Sequence, residues 1–176
     1  MTHELLVAGF GGQGVMAIGK LIAQAAVVQG MNATWLPSYG AEVRGGVANC
    51  CCVLSEEEVV TPVVTEPNEL IVMNELSFCK YVPIAPPDSM VLVNSSIVSR
   101  RVERRGRTIY VPCNDVANEL GYPKTANMVM VGAYAAAAGF LEMDTLRNLL
   151  RELFHGPKER LAAVNEKALQ AGAGCV

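Results

Sequence analysis

The feature that most constrains this chain is the run Gly9-Phe10-Gly11-Gly12-Gln13-Gly14. It fits G-x-G-x-x-G, and it stands where that motif requires, after a short apolar run over 4–9 and before an apolar-periodic stretch over 15–28. Strand, glycine turn and helix together predict a Rossmann-like first βα unit. Glycines allow the sharp turn and let backbone N–H groups approach an anion, while the helix N-terminus adds a favourable dipole. The same glycines could instead serve only to pack strand against helix. A dinucleotide site also needs an Asp or Glu about 20 residues further on, for the ribose. Here the second strand ends in Thr34-Trp35-Leu36-Pro37 with no acid, and the loop lacks the Gly-Lys-Ser/Thr ending of a P-loop. Both features weaken the nicotinamide, flavin and NTPase readings.

Further along, the apolar pattern predicts strands over 32–36, 47–54, 69–73, 90–93 and 107–111. Helices are expected over 15–28, closed by Gly30, and over 75–81, from an Asn114 N-cap to Leu120, and over 124–140. Leu146, Leu149, Leu150, Leu153 and Phe154 have the spacing of an amphipathic helix, which Gly156 stops before Pro157 opens the last one. Strands alternating with helices predict one domain over 1–176, a three-layer α/β/α fold with a mostly parallel sheet. The non-helical stretch over 32–54 implies a local antiparallel element, which would make the sheet mixed.

The charge balance excludes some partners. Net charge is −3, so nothing favours nucleic acid or an acidic membrane. Only 18% of residues are charged, against about 25% on average, which hints at surface covered by partner chains. The uncharged stretch over 125–141 has the length and interruptions of a buried core helix, so no membrane span is expected. Without a signal peptide pattern, the expected location is cytoplasmic. The six cysteines, at 50, 51, 52, 79, 113 and 175, include no C-x-x-C pair, so zinc-ribbon and iron–sulfur spacing are absent and reduced thiols are expected. In a strand, Cys51 should point opposite to Cys50 and Cys52. His3 and His155 are too isolated to form a metal site or catalytic pair, leaving packing or surface roles.

Two further segments stand out. Arg100, Arg101, Arg104, Arg105 and Arg107 crowd eight positions, as an exposed turn between strands or a dock for an acidic partner. Pro37-Ser38-Tyr39-Gly40-Ala41-Glu42-Val43-Arg44-Gly45-Gly46 combines a hydroxyl, a phenol, a carboxylate and a guanidinium between glycines. Such a loop, held by a rigid sheet, is where function concentrates. Glu42 and Arg44 could also simply neutralise each other.

With the Gly9-to-Val15 and Pro37-to-Gly46 segments, Val47-Ala-Asn-Cys50, Asn94-Ser-Ser96 and Lys124-Thr-Ala-Asn-Met-Val-Met130, the sequence resembles the gamma subunit of 2-oxoacid:ferredoxin oxidoreductases. The segments occur in the family's order, with Ala41 where the family often carries proline. The resemblance implies an assembly that converts a 2-oxoacid and coenzyme A to an acyl-coenzyme A while reducing ferredoxin. It places thiamine diphosphate, Mg and iron–sulfur clusters on partner alpha, beta and ferredoxin-type delta subunits, and associates this chain with coenzyme A. It assigns this chain no catalytic residue and no metal. On that reading Gly11, Gly12 and Gly14 offer backbone donors to an anion, Lys20 and Arg44 add charge-assisted contacts, and Ser38, Tyr39 and Glu42 position the loop or touch a neighbour. The alternatives are a stand-alone nucleotide-binding oxidoreductase and a non-catalytic assembly module. The identity of the 2-oxoacid stays open, with a lean to 2-oxoglutarate or a branched-chain acid.

Overall fold

A computed structural model of the chain describes residues 2–38 and 47–176. Residues 5–8 of the first strand are apolar without alternation, which is the pattern of a strand covered on both faces. That strand, β1 (Thr2–Phe10), lies inside a six-stranded sheet. The elements that follow are α1 (Val15–Val28), β2 (Asn32–Ser38), β3 (Val47–Ser55), β4 (Glu69–Val72), α2 (Glu75–Tyr81), β5 (Met90–Asn94) and β6 (Thr108–Val111). Four helices complete the order: α3 (Cys113–Glu119), α4 (Ala126–Ala138), α5 (Met143–Leu153) and α6 (Glu159–Ala173). Short 3₁₀ turns precede α4 (Pro123–Thr125) and α6 (Gly156–Lys158).

Strand order is β2-β3-β1-β4-β5-β6. β3 pairs antiparallel with both β1 and β2, while β1, β4, β5 and β6 pair in parallel. The sheet is therefore mixed, and β3 is the antiparallel element expected between 32 and 54. Because β3 runs backwards, the end of β2 and the start of β3 lie at the same edge as the end of β1. Phe10 pairs with Val47, and Ser38 with Asn49.

The two faces are covered unequally. Leu5, Val7, Cys50, Cys52, Leu54, Ile71 and Leu92 face a large core shared with α1, α3, α4, α5 and α6. Leu6, Ala8, Leu70, Val72, Val91 and Val93 face a smaller one closed by Phe78 and Tyr81 of α2 and by Val82, Ala85 and Val98 from irregular segments. The third layer is thus one short helix plus coil. Fully burying Val98 is worth about 1.5–3 kcal/mol, enough to hold an irregular connection against the sheet.

Cys50 and Cys52 point toward α1 and are fully buried, with Cys51 on the opposite face, as the alternation predicts. Their thiols lie against the carbonyls of Val15 and Gly19 at 3.5 and 3.4 Å. Cys52, hydrogen-bonding to Cys50, holds the Cys50 thiol below its usual range and is itself pushed up. A side chain at Gly19 would begin 2.5 Å from the Cys50 sulfur, which explains a glycine in mid-helix. His3 packs: it stacks on Phe140 and meets Glu69 Oε1 at 2.7 Å, and the Tyr134 hydroxyl donates to the other Glu69 oxygen.

Two local expectations need correction. Asn114 does not cap α3, which starts at Cys113 after Pro112. The N–H groups of Asn114 and Asp115 bond instead to Ser96 Oγ, so the capping hydroxyl comes from 18 residues upstream, after β5. The helix expected over 124–140 begins as a 3₁₀ turn and ends at Gly139, whose left-handed φ of 76° closes it. Residues 128–135 of α4 are all buried, as expected for a core helix. None of the described helices is long and apolar enough to cross a membrane.

Candidate functional site

The glycine loop leaves β1 at the carboxyl edge of the parallel strands, the usual location of ligand sites in open α/β sheets. Gly12 and Gly14 both have positive φ, 94° and 75°. Gln13, between them, turns back over the sheet. Its Oε1 accepts from the Phe10 N–H at 2.7 Å and from Asn74 Nδ2 at 3.0 Å, and its Nε2 donates to the Met73 carbonyl at 3.0 Å. Gly9 is confined by the same side chain, since a Cβ there would lie 2.8 Å from Gln13 Oε1 and 2.9 Å from Met73. The loop is therefore braced against the end of β4 and is not free to flap.

A second pair of amides continues the edge. Buried Asn94, ending β5, donates to Asn114 Oδ1 at 2.8 Å and to the Met73 carbonyl at 3.4 Å. Asn74 caps α2 by accepting from the Ser77 N–H at 2.8 Å. The strand ends of β1, β4, β5 and β6 are thus joined by neutral amides that fix geometry without adding charge. Asn94 Oδ1 is buried with no partner among the described residues.

Above these amides lies a cavity of about 170 Å³, lined by Gly12, Gln13, Gly14, Met73, Asn114, Pro123, Lys124, Ala126 and Asn127. Asn127 packs on Gly14, where a Cβ would begin 2.5 Å from its amide nitrogen. α1 has no side-chain cap and no acid in its first turn. Its first N–H groups, its dipole and the ammonium of Lys124 all favour an anion at this cavity. The described lining holds no carboxylate, imidazole, thiol or hydroxyl, and its polar groups are amides, backbone N–H groups and the Lys124 ammonium. An apolar groove of about 600 Å³ adjoins it, sharing Pro123, Lys124 and Asn127 and running between α1, α5 and α6 over Leu21, Met128, Leu150 and Phe154.

Gly11, Gly12 and Gly14 stand together on this loop. Lys20 lies six residues beyond Gly14, roughly 9 Å along the α1 axis, and lines a separate groove with Trp35 and Leu149. Among the described residues, Lys124 is the cation at the glycine cavity. Ser38 is exposed at the end of β2; Tyr39, Glu42 and Arg44 lie outside the described residues. The described flanks, Ser38 and Val47, adjoin the glycine loop through the sheet register. Gln13, Asn74, Asn94 and Asn127 were not singled out from sequence. Gln13, Asn94 and Asn127 fall inside segments that carried the resemblance, which was their only visible signal, and Asn74 had none.

The dinucleotide reading meets a structural obstacle beyond the missing acid. β3 is inserted between β1 and β2, so the β2 tip is two strand spacings from the glycine loop, roughly 9–10 Å. Among the described residues no group of three His, Cys, Asp or Glu side chains could hold a metal.

This mixed sheet, with a braced glycine loop over its carboxyl edge, defines an α/β domain with a Rossmann-like first βα unit. Residues 4–175 match the family described as Pyruvate ferredoxin/flavodoxin oxidoreductase, and the chain belongs to that family. It is 35% identical to the ketoisovalerate oxidoreductase subunit VorA of Methanothermobacter marburgensis over 95% of this chain and 35% of that one. It is 30% identical to the 2-oxoglutarate synthase subunit KorC of Archaeoglobus fulgidus over 96% and 85%. The chain thus spans 35% of the length of the first relative and most of the second. The keto/oxoacid ferredoxin oxidoreductase gamma subunit from Geobacter sulfurreducens superposes with TM-score 0.86 at 25% identity, over 99% of this chain and 96% of that one. The 2-oxoglutarate:ferredoxin oxidoreductase from Magnetococcus marinus, solved with 2-oxoglutarate, coenzyme A and succinyl-CoA bound, shares the fold with TM-score 0.89 at 22% identity, over 99% and 31%.

Proposed function

We propose that this chain is the gamma-type subunit of a cytoplasmic, thiamine diphosphate-dependent 2-oxoacid:ferredoxin oxidoreductase, placing its glycine-loop edge beside the coenzyme A region. The observation that carries the reading is the near full-length likeness to a solved gamma subunit, at TM-score 0.86 over 99% and 96% of the two chains. The complex would take a 2-oxoacid, coenzyme A and oxidised ferredoxin to acyl-coenzyme A, CO₂ and reduced ferredoxin. Thiamine diphosphate, Mg and iron–sulfur clusters belong in this scheme to alpha, beta and delta partners. The names of the relatives favour 3-methyl-2-oxobutanoate (ketoisovalerate) or 2-oxoglutarate as the substrate class.

The fit to coenzyme A rests on its anionic groups. Backbone donors at Gly12 and Gly14, the α1 N-terminus and Lys124 suit a phosphate, and the cavity of about 170 Å³ matches one such group rather than the whole cofactor. Ser38 and Val47, the described residues on either side of the 39–46 segment, pair at the same edge as the end of β1, which supports including Arg44 in the proposal. The apolar groove beside the cavity, with exposed Tyr122, Leu153 and Leu161, supports a role in assembly as well.

Reconstitution with the partner subunits tests the assignment. Gly12→Asp should still fold, since it meets nothing within 4 Å and costs only the roughly 1–2 kcal/mol of left-handed strain, yet it places a carboxylate among N–H groups suited to an anion. Arg44→Ala and Lys124→Met remove charge-assisted contacts worth roughly 1.5–3 kcal/mol each if formed. All three should raise the KM for coenzyme A by tenfold or more while sizing chromatography still shows complex. Normal assembly with unchanged coenzyme A dependence in all three would remove the site from the reading. Loss of association alone would favour the assembly role.

A further inference from the structure

β5 and β6 are parallel neighbours, and a connection between such strands is usually a helix laid over the sheet. Here it is irregular, running over 95–107 and pinned by buried Val98 and by Val102, whose N–H donates to the Tyr110 hydroxyl at 2.9 Å. The chain has a net charge of −3, yet all five arginines between 100 and 107 fall on or beside this one connection.

Their partners divide them. Arg100 pairs with Glu75 at 2.6 Å, and Arg105 forks onto Asp88. Arg107 reaches the Ala137 carbonyl. Arg101 and Arg104 have no carboxylate partner among the described residues. The Arg101 guanidinium lies 4.2 Å over the Tyr110 ring and donates through Nη1 to the carbonyls of Val98, Ser99 and Arg100. Arg104 donates to the carbonyls of Val82, Ala85 and Pro86 past the end of α2, while its Nε is buried with no acceptor. Burial holds the Arg104 pKa below its usual value.

Between this loop and α2 runs a groove of about 600 Å³, with Phe78, Val82, Pro83 and Pro87 on one side and residues 100–105 on the other. Its floor is apolar, and its wall carries four arginines against one carboxylate, Glu103, so the lining is net positive. Leu76, Ile84 and Ile97 are exposed on the same elements. Two cations fixed by carbonyls and a ring lose little side-chain freedom on binding, unlike flexible surface lysines. The groove is far larger than a single phosphate, and its apolar floor gives a small anion nothing to contact.

We infer that the groove between α2 and the arginine loop is a docking site for a segment of another protein that carries an apolar side chain flanked by carboxylates. The carboxylates meet Arg101 and Arg104, and the apolar side chain seats on Phe78 and Val82. This surface covers the thin face of the sheet, apart from the glycine cavity, and the inference stands whether or not that cavity binds coenzyme A.

The test uses a fluorescein-labelled peptide of alternating glutamate and leucine, with its glutamine counterpart as control, titrated into the full chain at low salt. Anisotropy should report saturable binding of the glutamate peptide, weakened at least tenfold by Arg101→Glu, by Pro83→Glu at the rim, and by added salt. Amide shifts should move at Phe78, Val82 and Val102. Pro83 is exposed and makes no side-chain hydrogen bond, so its variant keeps the test open should Arg101→Glu misfold. Three results would overturn the inference: equal binding of both peptides, glutamate-peptide binding indifferent to both variants, or inorganic phosphate alone displacing the peptide and shifting the same amides. Self-association of the chain that blocks the peptide would also overturn it, assigning the groove to a second copy.

Discussion

Gly12 and Gly14 are two residues apart, and the same substitution asks different things of each. Both have positive φ, so alanine at either costs roughly 1–2 kcal/mol of left-handed strain. At Gly12 that is the whole cost, since nothing lies within 4 Å of the new Cβ. At Gly14 the Cβ would also begin 2.5 Å from Asn127 Nδ2 and must displace that side chain. Gly14→Ala should therefore lower the urea midpoint more than Gly12→Ala, and equal midpoints would mean that Asn127 yields freely. The glycines were visible in the sequence because a turn motif is local. Gln13 was not, because it occupies a position the motif leaves open, and its partners Met73 and Asn74 are 60 and 61 residues away. The same holds for the cation. Lys20 is near the loop in sequence but lies along the helix flank, whereas Lys124 reaches the cavity through the fold.

At the scale of elements, α4 and α6 approach each other backbone to backbone in the large core. Each contributes a glycine facing the other's backbone. A Cβ at Gly132 would begin 1.8 Å from the Leu169 carbonyl oxygen, and one at Gly172 1.8 Å from that of Val129. Neither neighbour is a flexible side chain that could swing away, so the helices must separate. Gly172→Ala should then cost at least the roughly 1–3 kcal/mol typical of overpacking, despite alanine's better helix propensity. Thermal unfolding checks this; a stability gain would mean that the crossing is loosely packed. Helix positions were legible from apolar spacing, but this notch was not, because spacing reports which face is buried and not how closely two backbones approach. The missed cap of α3 has a similar cause: a helix expected to begin with its own Asn114 borrows Ser96 from the preceding connection. The arginine cluster was recognisable as a charged turn, while its division into paired and carboxylate-free members depended on Glu75 and Asp88, set by the fold.

For the whole molecule, the buried set of His3, Glu69 and Tyr134 ties stability to alkaline pH. Burial is the main cause holding the Tyr134 hydroxyl well above its usual pKa, with the Glu69 charge and hydrogen bond adding to it. The unfolded chain loses this proton near pH 10, while the folded chain keeps it. The contribution is therefore complete below pH 10 and is lost as pH rises toward the folded pKa, by about 1.4 kcal/mol per pH unit. Tyr134→Phe should lower stability at neutral pH by about 1–3 kcal/mol, because a buried Glu69 oxygen loses its donor. Above pH 10 the gap from the parent should narrow, as read from urea midpoints across the alkaline range. A constant gap would show that the folded hydroxyl ionises normally.

The central place of β1 also governs the order in which this sheet can be made. Its ladders are completed by residues 47–55 and 69–72, both later in the chain. During synthesis at about 5–20 residues per second, residues 5–8 would remain unpaired for roughly 2–9 s, until their β3 partners, residues 49–52, are joined. That interval exposes an uncharged, strand-forming tetrapeptide before either neighbour exists. The vulnerable moment for this protein is thus its translation, when a ribosome-associated holdase has most to offer, rather than its later life as a finished sheet.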